Sequence, residues 1–440
     1  MIAAPDDAVL SAVRKFLRSF KAPGRLLAAV SGGSDSTGLL LSLHAVIGEF
    51  PGFSLSAATV DHGLRAGSGD EAEAVARLCA SLGVAHRICR WDGDKPKSGI
   101  QAAARMARYR LLADAAQKTG AAAIVTGHTH DDQLETISMR AERTTDPAAT
   151  GLSGMADAVL FDRAAWILRP FLNVERSAIR AFARARDVGF VDDPSNLNPA
   201  FERARLRQKP MSRGAGVMNP ASEERFHSSG RCAAFLERSV QLYGGLAAHI
   251  GNSGLEKAED RDSFRALLTL AAVLGGREHL AGKETTARIR LFLGGAGQRM
   301  TAGRVVFDRR RDGLYLYREA RGLPVMQLAP GKTCNWDGRF RVSNGGSGDL
   351  MLSAPGDARP VAAALAAAGL SEAIAKRAAH ASLSVSRGDA VLDPLPENVT
   401  VEPLLAPFDA FLSRFDLAMA DALAHLAGRA PYVSCPVHIV

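Results

Sequence analysis

The sequence predicts an α/β fold class: a doubly wound parallel sheet, followed by a helical region and a smaller α+β C-terminal domain. Apolar runs alternate with amphipathic helical segments in the N-terminal part. Polar motifs directly follow several of these runs, and the composition changes beyond about residue 210. Because 440 residues are many for one domain, we expect three parts, at residues 1–215, 216–300 and 301–440.

The N-terminal part is expected to alternate strands with helices. The predicted strands are Leu26–Val30, Ser54–Val60, Val84–Cys89 and Ala122–Thr126. The predicted helices are residues 8–20, Thr37–Ile47, Glu71–Leu82, Ile100–Gly120 and a segment that begins within "GHTHDDQLET". In sheets of this kind, ligands bind beyond the carboxyl ends of the strands. The polar motifs that follow the strands are therefore candidates for a common site.

The C-terminal half carries weaker signals. The segment "KPMSRGAGVMNPASEERFHSSG" is rich in Gly, Pro and Ser and is typical of a linker. Residues 231–295 are predicted to be helical, and residues 303–345 alternate like short antiparallel strands. Residues 355–426 return to an alanine-rich mixture of helix and loop.

Composition restricts the class of protein. A net charge of +8 and a pI near 9.4 favour a polyanionic partner, although mildly basic proteins without one are common. The five cysteines are widely spaced and form no CxxC pair, which argues against a zinc site, an iron–sulfur cluster or a disulfide framework. The N-terminus lacks a basic signal-peptide region, and no apolar run is long enough to span a bilayer. We expect a cytoplasmic protein with no membrane partner.

The stretch "AVSGGSDSTGLLL" places glycines and hydroxyls between a buried strand and a helix. Glycines let the backbone N–H groups converge, and a helix N-terminus favours an anion. The motif lacks the GxxxxGK[ST] pattern of the triphosphate P-loop. A carboxylate such as Asp35 repels phosphate unless a divalent cation lies between them, so the loop predicts a Mg²⁺–polyphosphate site. Its residues are Ser31, Gly32, Gly33, Ser34, Asp35 and Ser36.

The loop resembles the SGGxDS signature of the PP-loop ATP pyrophosphatases. The blocks "VDHGLR", "AARMARYRLL", "GHTHDDQLET", "GLSGM", "RPFL" and "DDPSN" then "RARLR" follow in order. Together they resemble the tRNA(Ile)-lysidine synthetase family over residues 25–210. This resemblance implies an enzyme that uses ATP and Mg²⁺ to adenylate the wobble cytidine of a CAU-anticodon tRNA(Ile). Free L-lysine then displaces AMP.

The resemblance also implies roles for individual residues. The expected catalytic residues are Asp35 (on the metal), Arg108, Asp132 and Glu135. ATP binding is expected from the loop together with Asp61, His62, Gly127 and His128. Independently of the resemblance, contacts with tRNA are expected from Arg176 and Arg180, because arginines recur here every four residues and form a basic stripe, although a solvated surface explains such a stripe equally well. Further contacts with tRNA are expected from Arg203, Arg205 and Arg207. Residues 1–215 would be catalytic, and the two C-terminal parts would dock the tRNA body.

Several of these residues also fit a purely structural role. Asp61 also fits a simple turn cap, and Asp131, Asp132 and Glu135 also fit an acidic helix start that the helix dipole favours. Two segments depart from the family pattern, because Thr129 replaces a second histidine and residues 142–149 differ. The alternative functions are another PP-loop tRNA-modifying enzyme, above all a thiolase, and a non-catalytic nucleotide-binding module. A homodimer is left open by the sequence.

Overall fold

The computed structural model describes residues 5–65, 67–142, 150–191, 220–295 and 297–438. The chain divides into two compact units. The first unit comprises Met1–Arg225, Ser413–Phe415 and Val433–Val440, and the second comprises Phe226–Leu412 and Asp416–Tyr432. Each unit therefore contains segments that are distant in sequence.

The first unit begins with alternating helices and strands, as predicted. Its strands are β1 (Arg25–Ala29), β2 (Ser54–Asp61), β3 (Ala85–Arg90), β4 (Ala121–Thr126), β5 (Ala158–Phe161) and β6 (Ala165–Leu168). Its helices are α1 (Pro5–Arg18), α2 (Ser34–Ile47), α3 (Ser68–Ser81), α4 (Ile100–Thr119), α5 (His130–Ala141) and α6 (Arg176–Arg184), with a 3-10 turn at Thr150–Ser153.

These strands lie in the order β5-β6-β4-β1-β2-β3. β1 pairs in parallel with β2 on one side and with β4 on the other, and β2–β3 and β4–β6 are also parallel. Only β5 and β6 form an antiparallel pair among these strands. The predicted doubly wound sheet is confirmed. The chain order reverses at β1, so the crevice beyond β1 and β4 is where a ligand is expected.

Helix α2 is fixed tightly behind this crevice. Leu39, Leu40 and Leu43 are fully buried in the core. A Cβ on Gly38 would lie 2.3 Å from Ile179 Cγ2, so only glycine allows α6 to approach α2 this closely. The starts of both helices are thereby held in a defined relation to one another.

The last residues of the chain also belong to the first unit. The Lys21 backbone N–H donates to Pro436 O at 2.9 Å, and the His438 N–H donates to Ser19 O at 2.7 Å. Trp166 Nε1 donates to Val433 O at 3.1 Å. The C-terminal segment thus closes backbone hydrogen bonds with residues near the N-terminus.

The helices from residue 220 onward are α7 (Pro220–Ser239), α8 (Asn252–Lys257), α9 (Arg261–Leu274), α10 (Lys283–Leu293), α11 (Arg359–Ala367), α12 (Glu372–Ala379), α13 (Ala406–Asp409) and α14 (Leu417–Leu426), with a 3-10 turn at Arg414–Asp416. The strands are β7 (Val240–Tyr243), β8 (Ala247–Gly251), β9 (Arg299–Ala302), β10 (Val305–Arg310), β11 (Gly313–Arg318), β12 (Met326–Leu328), β13 (Thr333–Trp336), β14 (Phe340–Asn344), β15 (Leu350–Ser353), β16 (Ser384–Arg387), β17 (Ala390–Val391), β18 (Val399–Pro403) and β19 (Phe411–Ser413).

The second unit contains sheets with the orders β7-β8-β11-β10-β9, β12-β15-β16-β17 and β13-β14-β18. The expectation that residues 231–295 are helical is wrong for β7 and β8. Gly244 and Gly245 adopt positive φ angles of 55° and 66°, which turn the chain into a hairpin. Since β8 pairs with β11, residues expected in two different C-terminal parts share one sheet.

The core of the second unit joins the same segments. Trp336, Leu365 and Ile374 belong to one buried hydrophobic cluster together with Tyr243. In the described part of the chain, no helix combines the length and the apolar character that a membrane span requires.

Candidate active site

The loop after β1 leaves the first N–H groups of α2 without a side-chain cap. Gly32 has a φ of +84°, and Gly33 is the N-cap residue, which has no side chain to occupy the helix start. Ser36 stabilises the loop from within. Its hydroxyl accepts from the Ser31 N–H at 3.1 Å and donates to Gly33 O at 3.1 Å. The geometry is that of an anion cradle at a helix N-terminus.

The end of β4 passes directly against this helix start. A Cβ on Gly127 would lie 2.7 Å from the backbone oxygen of Asp35, a separation that real Cβ atoms do not show. Glycine is required here because of this close approach, not because of a special φ. Gly127 therefore places the residues that follow β4 beside the phosphate-binding loop.

A carboxylate cluster forms where α2, α5 and α6 begin. Arg176 donates from Nε to Asp35 Oδ2 at 2.9 Å and from Nη2 to Asp132 Oδ1 at 2.9 Å. Its Nη1 lies 3.7 Å from Glu135 Oε1, and its backbone N–H donates to Asp131 Oδ2 at 2.8 Å. One guanidinium thus joins the carboxylates that the sequence predicted on two different motifs.

The two aspartates of this cluster differ in their electrostatics. Burial raises the pKa of Asp35 above its usual value, although Arg176 opposes this shift. Burial also acts on Asp132, but Arg176 and the hydrogen bonds from Thr129 outweigh it and lower the pKa of Asp132. Asp132 is therefore held ionised, and Asp35 is the carboxylate that gains most from an additional cation.

Thr129 has a structural reason to stand where the family pattern has a histidine. It is the fully buried N-cap of α5 and forms a capping box with Asp132. The Thr129 N–H donates to Asp132 Oδ2 at 2.8 Å, and its hydroxyl donates to the same oxygen at 2.9 Å. The cap fixes Asp132 so that its other oxygen faces Arg176.

A group of cations lies around Tyr109 on α4. Arg108 Nη2 donates to the Tyr109 hydroxyl at 3.2 Å, and the Arg105 guanidinium lies 5.0 Å from the Tyr109 ring centroid. Burial alone would raise the pKa of Tyr109, but Arg108, Arg105 and Arg169 lower it to about 7. The Nε atoms of Arg108 and Arg169 are buried and have no hydrogen-bond partner among the described residues. This group is suited to an anion.

Two histidines border these cations and are held neutral. Burial lowers the pKa of His128 to about 3, and Arg169 and Arg108 add to the shift. His128 Nδ1 shares a 3.0 Å hydrogen bond with Thr126 Oγ1. Burial also lowers the pKa of His62, and its Nδ1 is buried without a hydrogen-bond partner in the described part of the chain. That nitrogen is available to a ligand.

Asp61 forms a turn cap at the end of β2. Its Oδ1 accepts from the Gly63 N–H at 2.9 Å and from the Ser68 hydroxyl at 2.7 Å. These hydrogen bonds lower the pKa of Asp61. The geometry matches the structural alternative, and binding of ATP by Asp61 stays a prediction.

The chain was compared with known proteins. The PP-loop domain family matches residues 5–213. The tRNA(Ile)-lysidine synthase of Rhizobium meliloti (strain 1021) is 48% identical over 98% of this chain and 98% of its own length. That of Mesorhizobium japonicum is 40% identical over 93% of this chain and 94% of its own length.

This chain belongs to the tRNA(Ile)-lysidine synthase family. Among solved structures, a U34-tRNA thiolase from Methanococcus maripaludis is 16% identical, with a TM-score of 0.39, and the match covers 46% of this chain and 71% of that one. A TM-score and a sequence identity this low support no inference about the fold or the function of this chain.

The arginines that are expected to contact tRNA lie in different surroundings. Arg176 lies inside the carboxylate cluster, with its side chain 18% exposed, instead of on an open surface. The Arg180 guanidinium lies 5.2 Å from the centroid of the Phe190 ring. Arg203, Arg205 and Arg207 lie outside the described residues, and contact of all these arginines with tRNA stays a prediction.

Sequence reasoning missed two members of the site. Tyr109 follows the predicted Arg108 directly, and Arg169 opens the quoted "RPFL" block, but neither was assigned a role. Tyr109 is fully buried, although its neighbours in the α4 sequence are charged. That contrast is the one signal in the sequence that could have indicated its role. The arginines converge from different elements, so their grouping required the fold.

The carboxylates fit Mg²⁺ bound together with phosphates. In the described ranges, no group of three or more His, Cys, Asp or Glu side chains is arranged to hold a metal ion by itself. Mg²⁺ commonly uses one or two carboxylates and completes its shell with substrate phosphates and water. Asp35 and Asp132 both contact one cationic group, so both lie within reach of a single ion.

Proposed function

We propose that this chain uses ATP to ligate lysine to C2 of the wobble cytidine of CAU-anticodon tRNA(Ile), releasing AMP and diphosphate. The product, lysidine, changes codon recognition from AUG to AUA. One observation carries the proposal. Asp35 at the start of α2 and Asp132 of α5 both accept from the Arg176 guanidinium, so the proposed phosphate site and the proposed amine site would adjoin each other.

The adenylation step needs positioning and neutralisation of charge. The N–H groups at the start of α2 would hold the departing diphosphate, and Asp35 with Asp132 would hold Mg²⁺. The metal would supply positive charge to the phosphates. Arg108, with its buried Nε, would contact developing negative charge, and His62 Nδ1 would form a hydrogen bond with the nucleoside.

The second step needs a neutral lysine amine. With a pKa near 10.4, deprotonating it at pH 7 costs about 4.6 kcal/mol. Asp132 and Glu135 lie three residues apart at the start of α5 and both face Arg176. Glu135 is 2% exposed, and a carboxylate shielded from water suits the holding of an ammonium group and the acceptance of its proton.

The second unit would dock the tRNA body through cations. Arg299, Arg310 and Arg377 all bind the buried Asp308, at 2.9, 2.7 and 3.1 Å. Their side chains are 46%, 39% and 40% exposed, so each guanidinium also faces solvent. Three positive charges on one carboxylate leave a local excess that suits RNA phosphates.

The alternative of a thiolase is not favoured. All five cysteines are free thiols, and four of them are buried.

A cytoplasmic location and a homodimer are also part of the proposal. Sedimentation of the purified protein would test the dimer.

The test is incorporation of lysine into tRNA. The protein is incubated with ATP, Mg²⁺, labelled lysine and tRNA(Ile) with a CAU anticodon, and acid-precipitable label is counted. Label that depends on ATP and on this tRNA, with one AMP released per lysine, supports the proposal. Release of ADP, or label that remains acid-soluble, contradicts it.

A further inference from the structure

Arg176 occupies the centre of the carboxylate cluster. Its three guanidinium nitrogens face Asp35, Asp132 and Glu135, at 2.9, 2.9 and 3.7 Å. A guanidinium stays protonated in proteins, and this one is surrounded by carboxylate oxygens. The side chain is thus held as a cation among anions.

The position of Arg176 is fixed by its backbone. It is the first residue of α6, and its N–H donates to Asp131 Oδ2. The tight contact of Gly38 with Ile179 holds α6 against α2. The guanidinium therefore reaches the cluster from a rigid support, and neither α6 nor α2 can move far without the other.

The carboxylate oxygens that Arg176 contacts are those that the proposed function assigns to Mg²⁺. Asp35 Oδ2 and Asp132 Oδ1 each accept a guanidinium N–H. A divalent cation on these oxygens would meet the positive charge of Arg176 at a few ångströms, where the dielectric is low and repulsion is strong. The phosphates of ATP would offset that repulsion.

We infer that Arg176 is a positioning residue that competes with Mg²⁺ for these carboxylates. It keeps Asp35 and Asp132 together, and it makes the free enzyme a weak binder of Mg²⁺ alone. The metal is then accepted together with the negative charge of ATP. This inference rests on the proposed metal site and extends it to a residue that sequence analysis assigned to tRNA.

The test measures binding of Mg²⁺ alone to the full-length protein by isothermal titration calorimetry. Arg176→Gln removes the charge but keeps a hydrogen-bonding side chain, and we expect Mg²⁺ to bind at least fivefold more tightly. Arg176→Lys keeps the charge, and its Kd is expected to stay near the wild-type value. Arg184→Gln, two turns further along α6, is the matched control and should leave the Kd unchanged.

The inference is overturned if Arg176→Gln binds Mg²⁺ equally well or more weakly, as a purely structural role would predict. If that variant fails to fold, the wild-type protein still decides. The Arg176 Nε–H NMR signal, assigned by its loss in Arg176→Lys, should shift or broaden on addition of Mg²⁺, and an unchanged signal at saturating Mg²⁺ contradicts the inference. Absence of Mg²⁺ binding in every variant, with lysine still incorporated, would reject the metal site while leaving the ligation.

Discussion

At the scale of single residues, Asp35 is held from two sides. Ser34 donates to Asp35 Oδ1 at 3.0 Å, and Arg176 donates to Oδ2 at 2.9 Å. The carboxylate is therefore oriented before any substrate binds, which reduces the cost of organising the site. It also lies at the start of α2, where the anion cradle begins.

Substitution Asp35→Asn keeps the size of the side chain but removes the charge that we assign to the metal. We expect AMP formation to be abolished, because diphosphate would depart without the neutralising cation. The measurement is AMP release with saturating tRNA, with tRNA binding and the melting temperature as controls. Turnover equal to that of the wild type would remove Asp35 from the metal site.

Glu135→Gln tests the amine site separately. Loss of a proton acceptor typically reduces a rate by a factor of about 10² to 10⁴, so lysine transfer should fall at least a hundredfold. Adenylation of tRNA, followed as diphosphate release without lysine, should fall much less. The control is Glu142→Gln at the end of α5, which should retain wild-type rates. An equal loss in both steps would contradict the assignment of Glu135 to lysine.

Tyr109 provides a direct measure of the cationic group. Its pKa is lowered to about 7, whereas burial raises the pKa values of Tyr243, Tyr315 and Tyr317. In a titration followed at 295 nm, we expect one phenolate to form near pH 7 and to be missing in Tyr109→Phe. Because the unfolded pKa is about 10, this group should stabilise the fold progressively from pH 7 to pH 10. If Tyr109→Phe gives the same titration curve as the wild type, the grouping of the arginines around Tyr109 is refuted.

The site residues were only partly predictable from the amino-acid sequence. Asp35, Asp132 and Glu135 stand in motifs whose order and chemistry point to a common site, and the structure brings them together. The place of Arg176 in this cluster was not predictable, because a four-residue spacing of arginines is typical of a solvated stripe and cannot show that the first one turns inward. That orientation depends on the approach of α6 to α2, which is a long-range property.

At the scale of elements, the approach of β4 to α2 positions the site. The four predicted strands match β1 to β4 to within one residue at each end, because buried runs bounded by turns have few other structures available. The hairpin of β7 and β8 was missed, since its Ala and Leu residues suit a helix equally well. Its register depends on the pairing of β8 with β11, and a contact between segments this distant in sequence cannot be predicted from a local pattern.

Gly127→Ala should disturb this approach. The added methyl would lie 2.7 Å from the Asp35 backbone oxygen and 3.0 Å from the Ser36 nitrogen, so α2 or β4 must shift. We expect a loss of stability of about 1–3 kcal/mol, typical of overpacking, and at least tenfold weaker ATP binding by calorimetry.

Gly48→Ala is the matched control at the other end of α2. Its Cβ would meet nothing within 4 Å, and Gly48 has a helical φ of −64°. This variant should bind ATP like the wild type. If Gly127→Ala does so too, the close approach is not what organises the loop.

At the scale of the molecule, charge is distributed over both units. Arg299, Arg310 and Arg377 of the second unit gather on Asp308, which is 1% exposed and anchors them. An anchored guanidinium loses little side-chain entropy when it meets a phosphate, so such a group is more effective than three separate lysines.

Arg310→Gln should weaken tRNA binding and reduce its dependence on salt. Each duplex phosphate contact contributes about 0.9 to the slope of log K against log salt, so the slope should fall by about that amount. Binding of ATP alone should not change. Arg359→Gln is the control, because Arg359 pairs with the exposed Asp357 and lies outside the group of arginines on Asp308. An unaltered slope in Arg310→Gln would exclude this arginine from the RNA contact.

The hydrogen bond between Trp166 and Val433 joins residues 267 positions apart. At a synthesis rate of about 5 to 20 residues per second, the ribosome adds Val433 roughly 13 to 53 seconds after Trp166. A nascent chain therefore carries the phosphate-binding loop and the carboxylates for much of its synthesis without the segment that completes their unit. Chains that stop before residue 433 would lack the backbone partners of Ser19, Lys21 and Trp166. Translation through residue 438 is thus a condition for the backbone hydrogen bonds that complete this unit.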